Sequence, residues 1–251
     1  MIYEFPFGEK IKKVEQNDKT SKKVFVLGAY ASAVHAEVRN TSGKILCKAL
    51  AVASEPEIFW KGNILQATNI IKSIKSNPYT LTPATLNGES GKCLDLHYLN
   101  PLDYERKDAW LCDLIPYSRI NQGQKNAIER LGLTTTIPNA PASNADYKKQ
   151  MTDITSTKTY NYRIDEIKKE LFDSGAKDII LLGDYPLQLF LLEVCPIFPV
   201  KNVRDIITKY GIPIKTTINK KEFNVYIFCH PHHIEYKNNY GKIHKDWIRS
   251  I

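Results

Sequence analysis

Phe223-Asn224-Val225-Tyr226-Ile227-Phe228-Cys229-His230-Pro231-His232-His233 is an apolar run that ends on imidazoles. Its first six residues read as a buried strand, so the chain delivers His230 at a strand's carboxyl end, the edge where open α/β sheets bind ligands. Near the other end of the sequence, Lys22-Lys23-Val24-Phe25-Val26-Leu27-Gly28-Ala29-Tyr30-Ala31-Ser32-Ala33-Val34-His35 reads as a strand, a tight turn at Gly28 and the start of a helix. Ala109 to Ile115 and Asp178 to Leu182 complete a set of four strand candidates. Tyr162 to Ser174 has helical spacing, with Ile164, Ile167, Lys168, Leu171 and Phe172 on one face and Gly175 as its stop. Pro186 suits the first turn of another helix, which faces Leu187, Phe190, Leu191 and Val194 inward and stops near Cys195-Pro196. Strands alternating with helices predict an α/β fold with a mainly parallel sheet. Val203 to Tyr210 reads as a further helix, and Ile214 to Ile218 as a hairpin partner of the opening run through Asn219-Lys220-Lys221.

A chain of 251 residues buries a substantial core, and a single domain over 1–251 is the expectation. Residues 1–20 read as a polar N-terminal arm. The stretches near 77–107 and 117–160 read as long insertions, the second with a short helix around Gln124 to Arg130. The five cysteines are scattered without C-x-x-C spacing, which argues against a disulfide framework or zinc ribbon and fits a reduced, cytoplasmic protein. Met1-Ile2-Tyr3-Glu4-Phe5-Pro6 lacks a basic, then apolar, leader, and no apolar run approaches the roughly 20 residues of a membrane span. Thirty-five basic against 27 acidic side chains, a formal charge of +8, favour a polyanionic partner.

Motif tests exclude several chemistries. Neither G-x-G-x-x-G nor G-x-x-x-x-G-K-[ST] occurs, which removes two nucleotide-binding classes. Ser32 fails the G-x-S-x-G elbow and reads instead as a helix N-cap or ligand contact. His35 reads as a packing histidine or as part of an anion site in a first helical turn. His230 exits a strand, with Pro231 fixing the exit and His232 alternating onto the same side. Cys229, His230 and His232 lack the second cluster that a zinc centre needs, so no metal is expected. Asp113 is a charge inside an apolar strand, which requires pairing, protonation or a polar pocket. Phe59 and Trp60 are suited to stacking on a base or to ordinary core packing. Arg119, Lys125 and Arg130, with Lys242, Lys245 and Arg249, read as a phosphate-contacting rim or as solvated charges.

In chain order, Val26-Leu27-Gly28-Ala29-Tyr30-Ala31-Ser32-Ala33-Val34-His35, Phe59-Trp60, Cys112-Asp113-Leu114-Ile115-Pro116, Leu181-Leu182-Gly183 and His230-Pro231-His232 resemble the motif series of the uracil-DNA glycosylase superfamily. The resemblance spans about Val24 to Trp247 and marks a divergent member. It implies a three-layer α/β/α sandwich with a central, mainly parallel four-stranded sheet, and a base pocket at the sheet's carboxyl edge. It implies hydrolysis of the N-glycosidic bond of a nucleotide flipped out of duplex or single-stranded DNA, in repair or phage defence, without metal or cofactor. A monomer is expected. By this resemblance His230 donates a hydrogen bond to the leaving base, Gly28, Ala29, Tyr30, Ser32 and His232 surround the substrate, and Phe59 or Trp60 stacks on the base. Family members carry a water-activating carboxylate or amide two positions after the turn glycine, commonly followed by proline. Here Tyr30-Ala31 stands instead, which leaves Glu57, Asp113 and His35 as substitutes. Asp113 also stands where uracil-specific members offer asparagine. An ionised aspartate only accepts hydrogen bonds, so a base with an exocyclic amino group, such as a modified cytosine, is expected over uracil. The competing readings are a non-catalytic DNA-binding protein on the same fold and a hydrolase of free nucleotides or nucleosides.

Overall fold

The computed structural model describes residues 3–153, 160–196, 203–234 and 239–251. The chain opens with β1 (Val24–Tyr30), β2 (Ala33–Arg39), β3 (Ile45–Ser54), α1 (Ile64–Lys72), β4 (Thr80–Pro83) and α2 (Glu89–Leu94). It continues through β5 (Ala109–Ile115), α3 (Gln122–Arg130), α4 (Asn144–Asp153), α5 (Tyr160–Ser174), β6 (Asp178–Leu182) and α6 (Asp184–Leu189). The hairpin β7 (Ile214–Ile218) and β8 (Lys221–Phe228) and the helix α7 (Asn239–Ile248) complete it. These elements fall into two compact units. One comprises Met1–Glu15, Tyr30–Lys92 and Pro116–Pro141; the other comprises Gln16–Ala29, Cys93–Ile115 and Ala142–Ile251.

The second unit is α/β, built on a mixed, mostly parallel five-stranded sheet in the order β5-β1-β6-β8-β7. The four expected strands are its first four members; the fifth is β7, so the sheet is wider than the four strands expected. β1 pairs parallel with β6, and β6 with β8, while β7 runs antiparallel at the edge. β5 is buried throughout, and β1 and β6 nearly so, which accounts for their continuous apolar runs. The hairpin turns at Asn219 and Lys220, which both take positive φ (47° and 67°), the combination that matches the twist of the two strands. α5 buries Ile164, Ile167 and Leu171 as its spacing predicts. Gly175 ends it at φ +68°, and the Lys22 amide caps the Ser174 carbonyl at 2.7 Å. α6 continues into a π-helical turn, Phe190–Val194, that closes at Cys195.

The first unit contains an antiparallel sheet, β3-β2-β4, and corrects one expectation. No turn and no helix follow Gly28. β1 runs straight through it with ordinary extended backbone, and Ala33–Arg39 forms a strand. From Val34 onward burial alternates: Val34, Ala36 and Val38 lie inside, whereas His35, Glu37 and Arg39 are half-buried. This period of two, paired on both sides, outweighs the helical preference of the alanines. The N-terminal arm is a packed segment, since Phe5 joins the core formed by Val34, Val38, Leu50, Trp60 and Ile128. The stretches read as insertions hold short elements, among them β4, α2, α3 and α4. No helix among the described residues is long and apolar enough to cross a membrane.

Candidate functional site

In the α/β unit, the carboxyl ends of three parallel strands meet one sheet edge. The register pairs Leu27 with Leu181 and Leu182 with Phe228, so Gly28, Leu182 and Phe228 fall in one row. At about 4.8 Å per strand, Gly28 and Phe228 are separated by roughly 10 Å. β5 starts beside β1, where the Lys23 amide donates to the Asp108 carbonyl at 2.9 Å, and five residues further on the two strands reach Gly28 and Asp113. The chain leaves β1 towards β5 on one side and later returns to β6 on the other. The gap between β1 and β6 is therefore a topological switch point, where α/β sheets bind ligands.

His230 lies two residues past the end of β8. Gly183 packs against it: a Cβ on Gly183 would lie 3.3 Å from the His230 Cβ, and its φ of 99° with ψ of 173° is open essentially to glycine alone. Pro231–His233 forms a 3-10 turn in which the His233 amide donates to the His230 carbonyl at 2.8 Å. That turn corrects the expectation for His232: the backbone is no longer extended, so alternation onto the face of His230 does not apply. The side chain of His232 lies outside the described residues.

Asp113 is 3% exposed, and Arg163 Nη2 donates to its backbone carbonyl at 2.5 Å. Burial pushes its pKa up to about 7, against the opposing pull of the Arg163 guanidinium and with added repulsion from Glu170. Arg163 is held by the strand itself, its Nε donating to the Leu114 carbonyl at 3.2 Å and its Nη1 pairing with Glu166 and Glu170.

The other candidates belong to the first unit. Tyr30, Ala31 and Ser32 link β1 to β2, so Ser32 caps no helix. Its amide donates to Glu55 Oε1 at 3.0 Å, and the Ser118 hydroxyl donates to its carbonyl. His35 sits in β2, with its amide and carbonyl both bonded to the Asn87 side chain at 2.8 Å. Burial holds the His35 ring down at about 4, so it is neutral at pH 7 and is no cationic partner for an anion. Of the acidic pair after β3, Glu57 is exposed while Glu55 is 6% exposed. Trp60 is core: it is 2% exposed, and its Nε1 donates to Gln66 at 2.9 Å. Phe59 is half-buried with a positive φ of 50°, and its carbonyl would lie 2.1 Å from a Cβ on Gly91. That combination leaves Phe59 the ring of the pair that can reach a ligand.

Arg119 departs from its expected place in a phosphate rim: it is 6% exposed, with Nη1 donating to the Ser118 carbonyl at 2.9 Å. Lys125, Lys242 and Lys245 are exposed. Among the described residues no group of three His, Cys, Asp or Glu side chains is arranged to hold a metal ion. Sequence reasoning missed Glu55, Asn87, Tyr98, Tyr210 and His244. Only Glu55 had a local signal, the Glu55-Pro56-Glu57 triplet just beyond β3. The chain matches no model of a known protein family, and comparison with curated proteins likewise gives no match.

Proposed function

We propose that the protein is a DNA glycosylase that hydrolyses the N-glycosidic bond of a flipped-out modified base, with modified cytosine preferred over uracil, and that its α/β unit is a three-layer α/β/α sandwich. One observation carries this reading: the strand order β5-β1-β6-β8 gathers Gly28, Asp113 and the exit to His230 along one edge beside a switch point. On this reading His230 donates a hydrogen bond to the base as negative charge builds on it. The C1′–N bond breaks as water attacks C1′, and the base leaves with the bonding electron pair. Asp113, in the ionised form it takes as pH rises past about 7, accepts from an exocyclic amino group that uracil lacks.

The test is base release from duplex and single-stranded oligonucleotides bearing uracil, hypoxanthine, alkylated bases or hypermodified cytosines, read by alkaline cleavage of the abasic product. Wild type should act on a modified cytosine and lose about 100-fold or more in kcat as His230→Ala. Equal turnover by His230→Ala sinks the role of His230, and fastest cleavage of uracil sinks the substrate preference. Tyr30-Ala31, in the place of a water-activating pair, favours a second reading as a non-catalytic DNA binder. DNA binding without release of any base establishes that one instead.

A further inference from the structure

Sheet pairing of β8 stops at Phe228, where the Gly183 amide donates to the Phe228 carbonyl at 2.9 Å. One residue on, Cys229 has left the ladder yet is 2% exposed, so its backbone groups need partners as much as any in a strand. Side chains supply them. The Cys229 amide donates to the Tyr210 hydroxyl at 3.3 Å, and the Tyr98 hydroxyl donates to the Cys229 carbonyl at 2.7 Å. The Tyr210 oxygen also lies 3.1 Å from the Cys229 Sγ and 3.0 Å from His244 Nδ1. Two tyrosines and a histidine from three distant segments thus converge on the residue before His230.

Each member is fixed in turn. Tyr98 stands in the π-helical turn Asp95–Leu99, a rare geometry, with its ring centroid 4.9 Å from that of Phe228. Tyr210 is followed by Gly211, whose amide donates to the Ile227 carbonyl at 3.1 Å. A Cβ on Gly211 would lie 2.4 Å from Trp247 Nε1. Burial raises the Tyr98 and Tyr210 hydroxyls and the Cys229 thiol, and it lowers His244 to about 4, helped by His97. The whole cluster is uncharged near neutrality.

We infer that Tyr98 and Tyr210, the latter backed by His244, are positioning residues for His230, a pair of buried hydroxyls that grip Cys229 where the sheet releases it. The inference rests on the reading of His230 as the donor to the leaving base. Gly183 confines His230 on one side, the clamp fixes the peptide before it, and the 3-10 turn fixes the peptide after it. A donor that must meet developing charge needs this restraint, since a misplacement of about 1 Å costs on the order of 100-fold in rate.

The test is the Tyr98→Phe, Tyr210→Phe double variant, which keeps both rings and removes both hydroxyls. Its kcat for base release should fall about 10- to 100-fold with KM nearly unchanged. The His230 ring resonance in a histidine-labelled sample, assigned with His230→Ala, should broaden or split. A folded double variant with wild-type turnover and one sharp His230 resonance overturns the clamp, as does a loss of rate no larger than its loss of folded protein. If wild type releases no base, the glycosylase reading falls, and the His230 resonance still decides the clamp.

Discussion

Asp113 places a carboxyl group in a strand whose every residue is buried, where desolvation outweighs the pull of the Arg163 guanidinium. Its pKa rises from 3.8 to about 7, so between those values the folded state binds the proton more tightly than the unfolded chain does. The contribution of Asp113 to stability is therefore greatest below about pH 4, falls as pH rises towards 7 and is flat above, with a total loss on the order of 4 kcal/mol at most. Asp113→Asn cannot titrate. Denaturant midpoints across pH 4 to 8 should show the variant gaining on wild type as pH rises; parallel curves refute an ionisable, buried Asp113. The lowered pKa values of His35 and His244 act with the opposite sign, adding stability as pH rises from about 4 to 6.5, so only the difference between variant and wild type isolates the aspartate.

Gly183 joins β6 to α6, and the strain it avoids sets the approach of His230. In Gly183→Ala the new methyl group must adopt a conformation that costs about 1–3 kcal/mol and press on the His230 Cβ from 3.3 Å. Lower unfolding free energy together with slower base release is expected; a variant as stable and as active as wild type shows that this junction sets no geometry. Most of the α/β unit was legible in the sequence. Apolar runs such as Ile179 to Leu182 are read by length and β-branching alone, and Asn219-Lys220 marked the hairpin. The first unit was not. Ala33–Arg39 sets two helix-favouring alanines against two strand-favouring valines, and only pairing with β3 and β4 decides for strand. The candidate residues divide in the same way: in the α/β unit His230 announced itself at the end of an apolar run, whereas in the first unit Glu55 looked no better than Glu57 until the end of β3 at Ser54 set which one is buried. Tyr98, Tyr210 and His244 share no sequence spacing, because tertiary packing alone assembles them.

The whole molecule carries a formal charge of +8, and the proposed DNA substrate makes part of that excess measurable. His35 and His244 add nothing near neutrality, since burial holds both near 4. α7 concentrates exposed cations on one side: Lys242 and Lys245 face solvent, whereas His244 and Trp247 are buried. Arg249 is a weaker candidate because Asp246 lies 3.7 Å from its guanidinium. Each lysine that neutralises a phosphate releases condensed counterion, so the logarithm of the binding constant for duplex DNA falls against the logarithm of salt with a slope of about 0.9 per contact. Lys242→Ala, Lys245→Ala should therefore bind every duplex sequence more weakly and flatten that slope by up to about 1.8, with kcat at saturating DNA unchanged. Titrations at several salt concentrations, on modified and unmodified duplexes, supply the check. Equal slopes for the variant and wild type take α7 out of the DNA interface, and a loss confined to the modified duplex gives these lysines a part in base recognition in place of phosphate contact.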